Sequence, residues 1–181
     1  CPAGSLGHDF HSLIVDNGFD LEVLDRDALG LADLPAPIGY LNARILQCHD
    51  LWHLAAGYRT TGLHEVAISG FQMGQFGHHY SAMFLAMVIT RAAFQRPEAA
   101  GLMLDTILGG WRHGRESPPL LGVDWEGLWD RPVDGVRAAL GLQAYASPWP
   151  ADLFEQLAAH ASSRLALARV ALMRVALYQV S

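Results

Sequence analysis

The sequence predicts an all-α fold: a multi-helix bundle with a central helical hairpin and a long C-terminal helix. Three observations carry this prediction. Apolar residues recur at helical spacing in nearly every segment. Proline and glycine fall where helices start and stop rather than inside them. No run alternates polar and apolar residues as a half-buried strand would. At 181 residues the chain has about the length of one domain and can bury a real core. A single domain over 1–181 is therefore expected.

The elements follow in order. Ser5 is a good N-cap for a first helix in which Leu6, Phe10, Leu13 and Ile14 recur at helical spacing, and Asn17-Gly18 stops it. A loop rich in Asp, Leu and Pro leads to Pro37, which suits the first turn of a second helix. That helix carries Leu41, Ile45, Cys48 and Trp52 and should end near Gly57. Thr60-Thr61-Gly62 turns the chain into a third helix, from Gly62 to about Gln75, which Gly77 breaks. A strongly apolar fourth helix runs to about Gln95, and Pro97 opens a fifth that reaches about Gly109. Residues 114–131 are rich in turns, and Pro132 starts a short helix closed by Gly141. Past Ser147-Pro148, Asp152 and Glu155 form a capping pair for a last long helix toward Val180.

Composition excludes several classes. Half the chain is hydrophobic and 17% is charged, so disorder is not expected. A net charge of −6 argues against a nucleic-acid surface, which needs clustered positive charge. All the bases are arginine, a feature of composition rather than chemistry. Cys1 and Cys48 make no disulfide framework, so a reduced, intracellular chain with one buried thiol is expected. The most apolar run, Tyr80 to Phe94, is too short for a transmembrane helix and contains Arg91.

The stretch HDLWHLAAGYRTTGLHE, residues 49–65, holds the candidate chemistry. His49 and His53 lie one helical turn apart and share a face, with Asp50 at its edge. On one straight helix Glu65 would sit about 18 Å beyond His53. The break at Thr60-Thr61-Gly62 is expected to fold Glu65 back on the next helix, so that two imidazoles and one or two carboxylates converge between antiparallel helices. Two readings stay open on these residues alone. One is a surface or hydrogen-bonded core pair of histidines. The other is a divalent metal, which would compensate the cost of burying such groups among Leu51, Trp52, Leu54 and Ala55.

The sequence resembles the ubiquinone (coenzyme Q) biosynthesis protein 4 family. Its signature, His-Asp-x-x-His, eleven residues, then Glu, is met by His49, Asp50, His53 and Glu65. An early family element looks like Pro2-Ala3-Gly4-Ser5-Leu6-Gly7, and Arg44 matches the Arg before the His-Asp pair. Glu65-Val66-Ala67 with Gln72 and Gln75 fits the next helix. Gly110-Trp111-Arg112-His113-Gly114-Arg115, Asp124-Trp125-Glu126, Pro132, Val136-Arg137 and Leu140-Gly141 follow in family order. The resemblance covers about residues 2–141. The chain starts inside the first motif, as an N-terminally shortened form would, and 148–181 adds a helix beyond the family core.

The resemblance implies a metal-dependent role in ubiquinone synthesis, with His49, Asp50, His53 and Glu65 as ligands and catalytic groups. The substrate implied is a polyprenylated hydroxybenzoate. The reaction implied is oxidative decarboxylation with hydroxylation at the carboxylate-bearing carbon. Zinc is the first expectation for the metal, with iron or manganese as the others. For the substrate, the sequence offers Met83, Phe84 and Met87 as an apolar slot, and Arg115 and Arg112 as cations for the ring carboxylate. The alternative for the slot is an ordinary core helix. For the arginines it is a salt bridge to Glu116 or Asp124.

Expected partners are a prenyl lipid, other ubiquinone-biosynthesis proteins and a second copy of the chain, without nucleic acid. A peripheral contact with the inner membrane is expected, on the cytoplasmic side in a bacterium and the matrix side in a mitochondrion. In the last helix Arg164, Arg169 and Arg174 do not keep to one face, so packing on protein is favoured there over lying on a membrane. Two rivals remain: a non-catalytic prenyl-lipid scaffold, and a His-Asp phosphohydrolase that would recruit His8 or His11 and Asp105.

Overall fold

A computed structural model of the protein describes residues 1–19 and 30–160. These residues hold seven α-helices and no strand; Ser5 and Pro132 pair in a single isolated bridge. Most of the segment expected to form the last helix, with Arg164, Arg169 and Arg174, and residues 20–29 lie outside the described residues. The chain divides into two compact units, each made of two segments: Cys1–Gly57 with Pro118–Ala144, and Tyr58–Ser117 with the chain from Tyr145 onward.

The first unit contains α1 (Leu6–Asn17), α2 (Ala36–Ala56) and α6 (Val133–Leu140). The Ser5 hydroxyl accepts the His8 amide at 3.4 Å, as an N-cap should. The next orphan amides of α1, Leu6 and Gly7, donate to the carbonyls of Arg131 and Trp129 at 2.7 and 2.9 Å. Pro37 sits in the first turn of α2, and Gly57, at φ +78°, ends it in the left-handed conformation that glycine tolerates. Between them Ile45, Cys48, Leu51, Trp52, Ala55 and Ala56 are buried, each of the larger aliphatic ones contributing about 1.5–3 kcal/mol. Leu41 remains exposed, so the buried face starts a turn later than its spacing predicts.

The second unit contains α3 (Gly62–Phe76), α4 (His79–Gln95), α5 (Ala100–Glu116) and α7 (Leu153–His160). Its core joins Leu63, Val66, Leu85, Ala92, Leu102, Met103 and Leu153. Helix α5 runs seven residues past the expected stop at Gly109. The glycines there serve close packing, not termination. A Cβ on Gly110 would overlap the Ala67 carbonyl, and one on Gly114 the Phe71 carbonyl. In return, a Cβ on Gly70 or Gly74 would overlap the carbonyls of Ile107 and Trp111. Each helix thus offers a small-residue groove to the other's backbone, the arrangement that a Gly-x-x-x-Gly repeat permits. The Gln75 amide then donates to the Gly114 carbonyl at 2.7 Å, capping the end of α5.

The capping pair expected for the last helix also takes a different form. The Glu155 carboxylate accepts the Gly62 amide at 2.9 Å, so it caps α3 instead of its own helix. Helix α4 buries Ser81, Leu85 and Ala92 and leaves Tyr80, Met83, Met87 and Phe94 exposed. It is a surface helix of its unit with one buried face.

Candidate metal centre

Helix α2 brings three of the four signature residues together. The Nε2 atoms of His49 and His53 face each other at 3.2 Å, and one ligand atom from each of His49, Asp50 and His53 lies within 4.8 Å of the others. Two imidazole nitrogens bound to one tetrahedral zinc would be about 3.3 Å apart, given bonds of about 2.0–2.1 Å. The two imidazoles could therefore share one divalent ion, with Asp50 near enough to join them. His53 is buried, and His49 and Asp50 are partly buried. His53 also stands in the last turn of α2, where the helix dipole is negative and favours a cation. Among the described residues this is the one group of three or more His, Cys, Asp and Glu side chains so arranged.

Cys48 is not part of this group. It is fully buried, and burial pushes its thiol up to about 11. The donor set is nitrogen and oxygen, which suits zinc, iron or manganese. Glu65 lies in the first turn of α3, in the second unit.

Two arginines hold α2 in place. Arg44 donates to both carboxylate oxygens of Glu126, at 2.6 and 2.9 Å, and to the Val123 carbonyl at 3.3 Å. This ties the loop after residue 118 to the helix. Arg137, on α6, donates from Nη2 to the Leu54 carbonyl at 2.7 Å and from Nε to the Ala55 carbonyl at 2.9 Å. Its third arm holds Asp134 at 2.7 Å. The resemblance marks Arg44, Glu126 and Arg137 but not what they touch. Sequence reading gave them no role, because their partners lie about eighty residues away.

The Arg44–Glu126 pair has a pH signature. Its hydrogen bonds hold the Glu126 carboxyl at about 2, below the ordinary 4.5. A depressed acid contributes stability that is complete above about 4.5 and is lost as pH falls toward 2. The Glu126 side chain is 59% exposed, so solvent screening limits the pair to about 0.2–1 kcal/mol. Urea midpoints should therefore fall more steeply between those pH values for the wild type than for Glu126→Gln. Parallel curves would show that the pair contributes nothing.

The remaining candidates fall in the second unit. Arg112 and Arg115 are exposed and form no ion pair or side-chain hydrogen bond among the described residues, so neither pairs with Glu116. On α5, Leu104, Leu108, Trp111 and Arg115 share one face, and the three apolar members are exposed. Met83 and Met87 are more than half exposed, whereas Phe84 packs on the unit's core. His78, for which no role was expected, is buried beside Ser81 at 3.0 Å. Because Ser81 donates its own proton to Gln72 at 2.6 Å, His78 is the donor, the wrong direction for a nucleophilic serine. Likewise His8 faces Asp9 at 3.3 Å on the exposed side of α1 and is not part of the metal-capable group.

Comparison with known proteins bears on this helix and its surroundings. The family model described as "Coenzyme Q (ubiquinone) biosynthesis protein Coq4" matches residues 1–146. The chain belongs to the Coq4 family. Among Coq4 relatives, the mitochondrial ubiquinone biosynthesis protein COQ4 homolog of Drosophila ananassae is 30% identical over 144 residues, 78% of this chain and 51% of that protein. The mitochondrial COQ4 of Eremothecium gossypii is 29% identical over 144 residues, 78% of this chain and 42% of that protein.

The crystal structure of a Nostoc punctiforme protein, whose name proposes a role in ubiquinone biosynthesis, superposes with a TM-score of 0.62 at 26% identity. It covers 79% of this chain and 65% of its own. This Coq4 chain spans about half the length of the curated relatives it matches. No helix among the described residues is long and apolar enough to cross a membrane.

Proposed function

We propose that this Coq4 chain binds a divalent metal through His49, Asp50 and His53 and works in ubiquinone biosynthesis on a polyprenylated hydroxybenzoate-type precursor. The observation that carries the reading is the pair of imidazoles facing each other across 3.2 Å with Asp50 beside them. Glu65 enters as a fourth ligand on the signature spacing alone. The reaction is oxidative removal of the ring carboxylate as carbon dioxide with hydroxylation at the same carbon, and dioxygen is the two-electron oxidant it requires. When bound, the metal supplies a Lewis acid, and iron or manganese would add redox chemistry that zinc lacks. The ligand count separates enzyme from scaffold. Three protein ligands leave a tetrahedral ion one open position, whereas four leave room only on an ion that accepts five or six.

The chain's own groups supply recognition. The Arg115 guanidinium, with Arg112 beside it, offers a donor fork for the ring carboxylate. The stripe Leu104, Leu108 and Trp111 leads up to that cation, a pattern suited to a lipid with an acidic head. Met83 and Met87 add adaptable apolar surface for the tail. On this reading the pure protein carries about one equivalent of metal per chain and retains a polyprenyl hydroxybenzoate. Met87→Glu is expected to cut that retention about tenfold, through desolvation of a charge against the tail, while metal content stays unchanged. Equal retention by wild type and variant would remove α4 from the tail surface. A wild type without metal would sink the site itself.

A further inference from the structure

We infer that Arg137 is a positioning residue of the metal site, acting through the last turn of α2. The inference rests on the metal reading above. The last carbonyls of a helix have no partner inside it, and helix ends fray. In α2 that end carries His53, whose own carbonyl takes the Gly57 amide. The next two carbonyls, Leu54 and Ala55, are taken by Nη2 and Nε of Arg137 at 2.7 and 2.9 Å. Nη1 is held by Asp134, at the start of α6, at 2.7 Å. Three arms of a planar guanidinium are thus engaged at once, which makes it a bracket between α6 and α2 and not a loose tether.

The bracket matters because metal ligation tolerates little displacement, about 0.2 Å in ligand distance. His53 faces His49 at 3.2 Å only while the last turn of α2 stays wound. Unwinding one turn would carry the His53 ring away from its partner and leave His49 in place. Arg137 opposes that unwinding from outside the ligand set. A cation there also complements the helix dipole, and Asp134 offsets its charge against an incoming metal ion.

The test uses the full chain, zinc affinity by chelator competition, and the visible spectrum of the cobalt-loaded protein. Far-UV circular dichroism establishes that each variant is folded. Arg137→Ala should weaken zinc binding by about 10- to 100-fold, the usual effect of losing a group that orients a ligand. Its cobalt bands should shift or lose intensity. Arg137→Lys, a point charge able to serve one carbonyl, should recover only part of the affinity. Val136→Ala opens a cavity on the same helix, at a fully buried side chain, but leaves the bracket intact. It should bind zinc as the wild type does.

Wild-type affinity in Arg137→Ala would overturn the inference. So would equal weakening in Val136→Ala, which would make the effect one of general stability. If Arg137→Ala does not fold, Arg137→Lys decides, and wild-type affinity and spectrum there overturn the proposal. A wild type that takes up no metal overturns the metal reading first, before any variant is compared.

Discussion

His49→Ala is expected to abolish stable metal binding while the helices remain. About 10–16 kcal/mol of apparent zinc affinity, shared among the three or four ligands of the proposed site, amounts to roughly 3–5 kcal/mol each, so removing one should weaken binding more than about 100-fold. The structure makes His49 the better choice of the two histidines. Its ring is partly exposed, whereas His53 is buried, so truncating His49 leaves the smaller packing defect. Elemental analysis of the dialysed variant checks the first expectation. On the proposed function, cells that depend on this protein should lose ubiquinone at unchanged protein abundance. Metal retained at the wild-type level would show that His49 is no ligand. Loss of ubiquinone explained wholly by loss of protein would leave catalysis unsupported, because small destabilisations alone change abundance several-fold.

Gly110→Ala should cost roughly 3 kcal/mol or more, at the upper end of overpacking effects and a large share of a typical 5–15 kcal/mol total. A methyl there would overlap the Ala67 carbonyl, and backbone cannot swing aside as a side chain can. Helices α3 and α5 would have to separate, opening the Gly70, Gly74 and Gly114 contacts together. The neighbouring glycine gives the contrast. A Cβ on Gly109 would meet only the Tyr145 side chain, nearest at its hydroxyl 3.1 Å away, and no backbone. Gly109→Ala should therefore be neutral, or stabilising by up to about 1 kcal/mol from helix propensity. Denaturant midpoints of the two variants decide the matter. Similar behaviour at both positions would mean that the α3–α5 approach does not limit stability.

The sequence alone determined where most helices begin and end. Ser5, Pro37, Gly57, Gly77, Pro132 and Gly141 act through their own backbone preferences and the few residues around them. It also determined that His49 and His53 share a face of α2, because their spacing matches one helical turn. Tertiary structure decided the meaning of residues whose partners are remote. Gly109-Gly110 reads locally as a stop, yet α5 continues through it because the groove is filled by the backbone of α3. Glu155 reads as a cap for its own helix, yet serves α3 from 93 residues away. Arg137 reads as a surface base of a short helix, yet it closes α2 across 83 residues. Local periodicity reports the face a residue turns outward, but only the packed fold sets which backbone group, within hydrogen-bonding distance, meets it there.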